Sequence, residues 1–134
     1  MLSGSCLCGK VCFEIDPEFA LYINNCHCSR CRKGSGAAYG SFLQISGDHF
    51  RWLSGEEEIQ AYEPVPGNHR PFCRTCGSRL PVVNEQYNHA FVPAGLLDGD
   101  PGIKPSMHIY VGSMAPWHEI TDDLPVFDTH PGAR

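Results

Sequence analysis

Three thiols fall within six residues at Cys26-His27-Cys28-Ser29-Arg30-Cys31, the most chemically loaded stretch of the chain. In an extended conformation, alternation places Cys26 and Cys28 on one face and His27 on the other. The next gap, Cys28-x-x-Cys31, is the two-residue spacing that lets two thiolates turn onto one metal ion. Three soft ligands therefore converge with no obvious fourth. A closed structural zinc site takes four protein ligands, whereas three leave a position for water or substrate. The expectation is a reactive metal site.

Two further units have metal-type spacing: Cys6-Leu7-Cys8-Gly9 and Cys73-Arg74-Thr75-Cys76-Gly77. In the second, a CxxC followed by glycine makes a tight turn whose backbone N–H groups are free to hydrogen-bond the sulfurs. Two such pairs complete one four-thiolate site and leave the triplet open. Spacing also allows the triplet to borrow a ligand from either pair, but the economical partition keeps every CxC and CxxC unit intact. The closed site would tie the N-terminal segment to the middle of the chain and supply folding energy directly. Zinc follows from ligand softness, although iron also suits four thiolates. Cys12 falls on the polar side of a strand and reads as a free strand cysteine.

The elements that must position these groups are short. A chain of 134 residues with 14 Gly and 11 Pro favours one domain, residues 1–134, built of brief strands and turns. Lys10–Asp16 alternates apolar and polar residues as a half-buried strand should, and Pro17 ends it. Strands are also expected over Ala37–Ile45, His49–Leu53 with Glu57–Glu63 as its partner, Arg79–Val83 hairpinned with His89–Pro93, and Met107–Val111. Arg32–Gly36 reads as a short helical turn or loop, and Pro64–Asn68 as a loop. The tail from Ala115 to Phe127 is expected to wrap the surface with its aromatics, Trp117 among them, tucked inward.

A net charge of −5 argues against a nucleic-acid partner and gives no reason to expect an anionic membrane surface. No stretch approaches the roughly 20 apolar residues of a membrane span. The N-terminus has neither the basic nor the apolar region of a secretory signal, so a cytoplasmic location is expected. There, eight cysteines read as metal ligands in preference to disulfides.

The motifs carry a resemblance. Gly-Ser-Cys-x-Cys-Gly-x-Val-x-Phe at Gly4–Phe13, Cys-His-Cys-x-x-Cys-Arg-Lys at Cys26–Lys33 and Phe-Cys-x-x-Cys-Gly-Ser at Phe72–Ser78 resemble the glutathione-dependent formaldehyde-activating (GFA) domain. That family is shared with centromere protein V. Pro105-Ser106-Met107-His108-Ile109, Ala115-Pro116-Trp117 and Asp123-Leu124-Pro125-x-Phe127 continue the likeness in order along nearly the whole chain. The resemblance implies a mainly β, β-tent fold of short stacked antiparallel sheets pinned by zinc. It implies two zinc ions per chain: a structural one on Cys6, Cys8, Cys73 and Cys76, and a catalytic-type one on Cys26, Cys28 and Cys31.

Zinc on three thiolates carries a local charge of about −1 and is a weaker Lewis acid than a three-histidine site. It suits the binding of a soft thiolate better than the making of hydroxide. A thiol entering the fourth position would lose its proton and add to the carbonyl of formaldehyde or another small aldehyde. The reverse step cleaves a carbon–sulfur bond, so the expected activity is that of a carbon–sulfur lyase, similar to an S-(hydroxymethyl)glutathione synthase. The expected partner is a small thiol such as glutathione. The competing expectation is a non-catalytic zinc module that binds a thiol or a protein partner; a His or Asp closing the triplet's fourth position would favour it.

Arg32 and Lys33, beside the triplet, are candidates to pair with a substrate carboxylate. His108, at the family's Pro-x-x-His position, is either a hydrogen-bonded core histidine or a proton-carrying group near the metal. Arg74 and Arg79 flank the four-thiolate unit and read as surface residues.

Overall fold

The structure, a computed structural model, describes residues 1–131. The strands form three small sheets. Strands β1 (Leu2–Ser5), β2 (Cys12–Ile15) and β5 (Phe50–Ser54) form an antiparallel sheet in the order β1-β2-β5. A five-stranded sheet has the order β10-β3-β4-β9-β8, from β3 (Tyr22–Cys26), β4 (Gly40–Ser46), β8 (Val82–Asn84), β9 (His89–Pro93) and β10 (Pro105–Ile109). Its pairings are antiparallel except β10 on β3, which is parallel. The third sheet is the hairpin of β6 (Ile59–Tyr62) and β7 (Arg70–Cys73). The mainly β fold of short stacked sheets stands as expected.

The core lies where the first two sheets face each other. Phe13 and Ile15 from β2 and Phe50 from β5 pack with Ile23, Leu43, Ile45, Ala90 and Val92 of the larger sheet. Period-2 alternation on β2 points Phe13 and Ile15 inward and leaves Cys12 and Glu14 only half-buried. Phe13 stacks on Phe50 at 5.5 Å and meets Trp52 edge-on at 6.3 Å. The chain at Gly4 runs so close to Phe13 that a Cβ there would sit 2.5 Å from its ring. Phe13→Ala is therefore expected to cost about 3–5 kcal/mol, read from the urea midpoint of unfolding.

Two expected features are overturned. Glu57–Glu63 was expected to partner His49–Leu53, but β6 pairs with β7, and β5 completes the sheet of β2. Glu56–Glu58 is a 3-10 turn entered through Gly55 at φ 85°, so the chain leaves β5 without reversing onto it. The tail also departs from expectation. Phe127 is half-buried, but Trp117 is 71% exposed, so it plugs no core. What anchors the tail is backbone: His108 N–H donates to Pro125 O and Phe127 N–H to His108 O, extending the sheet beyond β10. The expected hairpin forms between β8 and β9, but β8 begins at Val82, and Arg79 bridges to Phe72 of β7 instead.

Candidate metal centres

The CxC turn and the β7 knuckle bring four sulfurs together. Sγ atoms of Cys6, Cys8, Cys73 and Cys76 all lie within 4.8 Å of one another. Cys6 and Cys8 are 3.5 Å apart, and Cys8 and Cys73 are 3.8 Å apart. A tetrahedron with zinc–sulfur bonds of about 2.3 Å has edges of roughly 3.8 Å, so the donor set fits a zinc-sized ion. The motif glycines make the turns. Gly9 and Gly77 both sit at φ 79°, and their N–H groups donate back to Cys6 O and Cys73 O. Val11 N–H donates to Cys6 Sγ at 3.3 Å, and Ser78 Oγ lies 3.3 Å from Cys76 Sγ. That hydroxyl, with the Ser78 backbone N–H, draws the Cys76 thiol down to about 5 and favours the thiolate a metal needs. Cys6 and Cys73 are buried in an apolar packet with Val11 and Leu80, whereas Cys8 is exposed.

The second cluster stands at the end of β3. Cys26 closes the strand, Cys28 caps helix α1 (Ser29–Ser35) and Cys31 sits in its first turn. Their Sγ atoms lie within 4.8 Å of one another, and among the described residues no fourth His, Cys, Asp or Glu joins them. The stretch is extended only as far as Cys28; from Ser29 the helix turns Cys31 back onto the pair. Cys28 Sγ accepts from Cys31 N–H at 3.3 Å, the bond a capping side chain makes. Gly36, in the left-handed region at φ 68°, ends the helix. The thiols share charge. Cys26 and Cys31 favour the Cys28 thiolate and hold its pKa far below the usual thiol range, and the Cys26 thiol is pushed up beside it. Taking a metal displaces the protons that remain, so affinity should rise with pH.

Alternation decides which side chains face the triplet. Ile109, opposite Cys26 on β10, packs with Cys26, Cys31 and Phe42, while His108 falls on the other face. His27 lies there too, as expected for the residue between two ligands. Both imidazoles are buried, at 0% and 1% exposure, and His27 Nε2 is 2.8 Å from His108 Nδ1. Asp122 takes the far end, its Oδ2 2.9 Å from His108 Nε2. A carboxylate only accepts, so His108 carries its proton on Nε2 and accepts at Nδ1 from His27 Nε2–H. His108 is thus buried and hydrogen-bonded at both ring nitrogens, on the face away from the triplet. Tyr39 and His118 close around the pair, with ring centroids 4.8 and 5.8 Å from that of His27. No sequence pattern announces this box, because its members are far apart along the chain.

Burial first, and then His108 and His118, pull His27 down to about 4. The folded value lies below the unfolded one of about 6.5, so the contribution is whole above that pH and fades as pH falls toward 4. Between pH 7 and pH 5 the protein should lose about 2 kcal/mol on this account. Urea unfolding at the two pH values measures it, and the difference should shrink in His27→Gln, which has no proton to take.

Arg32 and Lys33 stand beside the triplet, but Arg32 Nε donates to Ser113 O at 3.0 Å and neither residue lines the two cavities, each of about 370 Å³, that open on the cysteines. Arg70 and Arg79 are there instead. Arg70 Nη1 is 3.9 Å from Cys31 Sγ. Arg79 lies over the Phe42 ring at 4.8 Å and beside Gly34 of α1, where a Cβ would press within 3.4 Å of Nη1. Burial depresses the Arg79 guanidinium, opposed by the Cys31 thiolate. The expectation that Arg79 is a surface residue is corrected. β7 and the segment after its knuckle fold over the triplet, and sequence spacing cannot report that approach. Arg74 is an outer residue as expected, paired with Glu58 at 3.1 Å.

The fold and these clusters define a class: a small β protein with one four-cysteine and one three-cysteine group, both in metal-binding geometry. The model of the family "Glutathione-dependent formaldehyde-activating enzyme" matches residues 1–113, and the chain belongs to that family. A Halomonas elongata protein, provisionally named a glutathione-dependent formaldehyde-activating enzyme, is 32% identical over 129 residues, covering 90% of this chain and 81% of its own. A crystal structure of a Rhodobacter sphaeroides protein superposes with a TM-score of 0.58 at 24% identity, covering 73% of this chain and 89% of that one. That likeness is one of fold. No helix among the described residues is long and apolar enough to cross a membrane.

Proposed function

We propose that residues 1–134 form one zinc-dependent domain of carbon–sulfur lyase type, acting in the cytoplasm on the adduct of a glutathione-like thiol with formaldehyde or another small aldehyde. The observation that carries this reading is the unequal ligand count: four cysteines in one cluster, three in the other, with cavities opening on the three. Family membership and the name of the Halomonas relative support the thiol and the aldehyde.

A soft divalent metal on Cys26, Cys28 and Cys31 would supply an open position at which a thiol exists as its thiolate. The chain's own residues do the rest. The Cys28 cap and the β3 strand end hold the three sulfurs to one side. Phe42 and Ile109 make the wall against them apolar. In the forward direction the sulfur lone pair forms the carbon–sulfur bond as the carbonyl π bond opens, and the thiol proton ends on the new hydroxyl. The reverse breaks that bond, and nothing is oxidised or reduced.

Metal content per chain on anaerobically purified protein, before and after dialysis against glutathione, is the first test. About two zinc ions, one of them exchangeable by thiol, is the expected result. Because the addition also runs unaided, activity is best read as NMR exchange between free thiol and its hydroxymethyl adduct. Exchange no faster than the uncatalysed rate, with two zinc ions that ignore thiol, would leave the non-catalytic module in its place.

A further inference from the structure

The surroundings of the three-cysteine cluster are charged in an unexpected way. Arg70 and Arg79 both reach Cys31, and both line the cavity of about 370 Å³ that opens on Cys26 and Cys31. Arg70 Nε and Arg79 Nη1 are buried and have no hydrogen-bond partner. Among the described residues no carboxylate forms an ion pair with either; the ion pairs fall to Glu14, Glu58, Glu63 and Asp122 elsewhere. Carboxylates are not scarce, since the chain has 15 acidic residues against 10 Lys and Arg. Two like charges have been brought together and left without one, an arrangement that costs stability unless an anion completes it.

The protein's own thiolates complete it only in part. Three thiolates on a doubly charged metal leave about one net negative charge, and two guanidiniums turn that into about one net positive. One more anion brings the site to neutrality. We propose that Arg70 and Arg79 are the residues that make the open position accept a thiolate in preference to a neutral ligand. Without them, a fourth negative sulfur would be added to a centre already negative. The inference rests on the open-site reading above and goes beyond it by assigning the selection of the incoming ligand. On binding, the thiol S–H proton passes to solvent and the electron pair stays on sulfur. Neither arginine touches the reacting carbon; they are positioning residues acting through charge. Arg32 and Lys33, nearer in sequence, line neither cavity on the cysteines, whereas Arg70 lines both.

The test uses the whole chain loaded with Co2+, whose visible and sulfur-to-metal bands report a change of ligand. It is titrated with 2-mercaptoethanol, which binds as an anion but has a neutral tail, and with imidazole, which binds neutral. Arg79→Met and Arg70→Met should each weaken 2-mercaptoethanol by about tenfold or more. Imidazole affinity and cobalt content should stay within about twofold. Two separate variants are made so that a fold defect in one leaves the other to decide. Equal weakening of both ligands would reduce the arginines to structural supports and overturn the proposal, as would no change in either. A wild-type spectrum that answers to neither ligand would overturn the open-site reading itself and this inference with it. Thiol binding that ignores the arginines would overturn the inference alone.

Discussion

Cys73→Ser is expected to abolish cooperative folding, the largest structural effect available from one atom. Cys73 is fully buried, packed with Cys6, Val11 and Leu80, and its sulfur stands 3.8 Å from Cys8 across 65 residues of chain. Serine would leave a hydroxyl in an apolar packet and take one ligand from a four-ligand set. Structural zinc contributes about 10–16 kcal/mol to small zinc-bound folds, as much as the whole stability of an ordinary domain, which is about 5–15 kcal/mol. The three-sheet arrangement has no disulfide to fall back on, since all eight cysteines are free. Thermal unfolding by circular dichroism, with metal counted on the same sample, is the check. The variant should lose one metal equivalent and its sigmoidal transition, and a chelator should do the same to wild type. A cooperative transition within about 5 °C of wild type would mean the cluster adds only about 1 kcal/mol to the fold, and its structural role would be gone.

Cys28→Ser should do the opposite: keep the fold and lose the chemistry. Cys28 is half-exposed and caps α1 by accepting from Cys31 N–H. Serine is among the best capping residues, so the helix start survives the exchange. What disappears is the thiolate whose charge Cys26 and Cys31 hold in place. The unfolding temperature should move by only a few degrees, metal content should drop from about two to about one per chain, and thiol–adduct exchange should fall by about a hundredfold or more. Retained exchange with a single metal would place the reaction away from the triplet. The contrast is the informative result, because the two variants remove the same atom from clusters with the same ligand chemistry. One cluster has four sulfurs and is rooted in the core through Cys6 and Cys73, and the other has three and opens on a cavity.

The ligand clusters were legible in the residue order because metal spacing is local: a CxC or CxxC turn sets which sulfurs can converge, whatever the rest of the chain does. The Gly77 turn and the strand alternation within Lys10–Asp16 are local in the same sense and stood, as did the β8–β9 hairpin with a later start to β8. The partition of seven cysteines into four and three was the economical choice in sequence, and the structure juxtaposes those same groups. Pairing between distant strands was not legible. Glu57–Glu63 was assigned the wrong partner, and neither β1 nor β3 was foreseen. β1 carries too few apolar residues to announce itself, and β3 is buried at almost every position, so it shows no alternation.

Function divides along the same line. Residue types and spacing determined that this chain carries two thiol clusters that could hold a metal ion, one of four sulfurs and one of three. Only the tertiary structure decided what surrounds them. Arg32 and Lys33 are adjacent to Cys31 in sequence, yet neither lines the cavities on the triplet, and Arg32 is spent on the Ser113 carbonyl. Arg70, 39 residues from Cys31, arrives on β7 to touch its sulfur, and Arg79 follows from beyond the knuckle. His27, next to two ligands, faces the opposite side and joins His108 and Asp122. The physical reason is the same in each case. Coordination is governed by a few bonds of covalent chain and survives in the sequence, whereas the charge and hydrogen bonding around a site come from side chains that meet only after the sheets have packed.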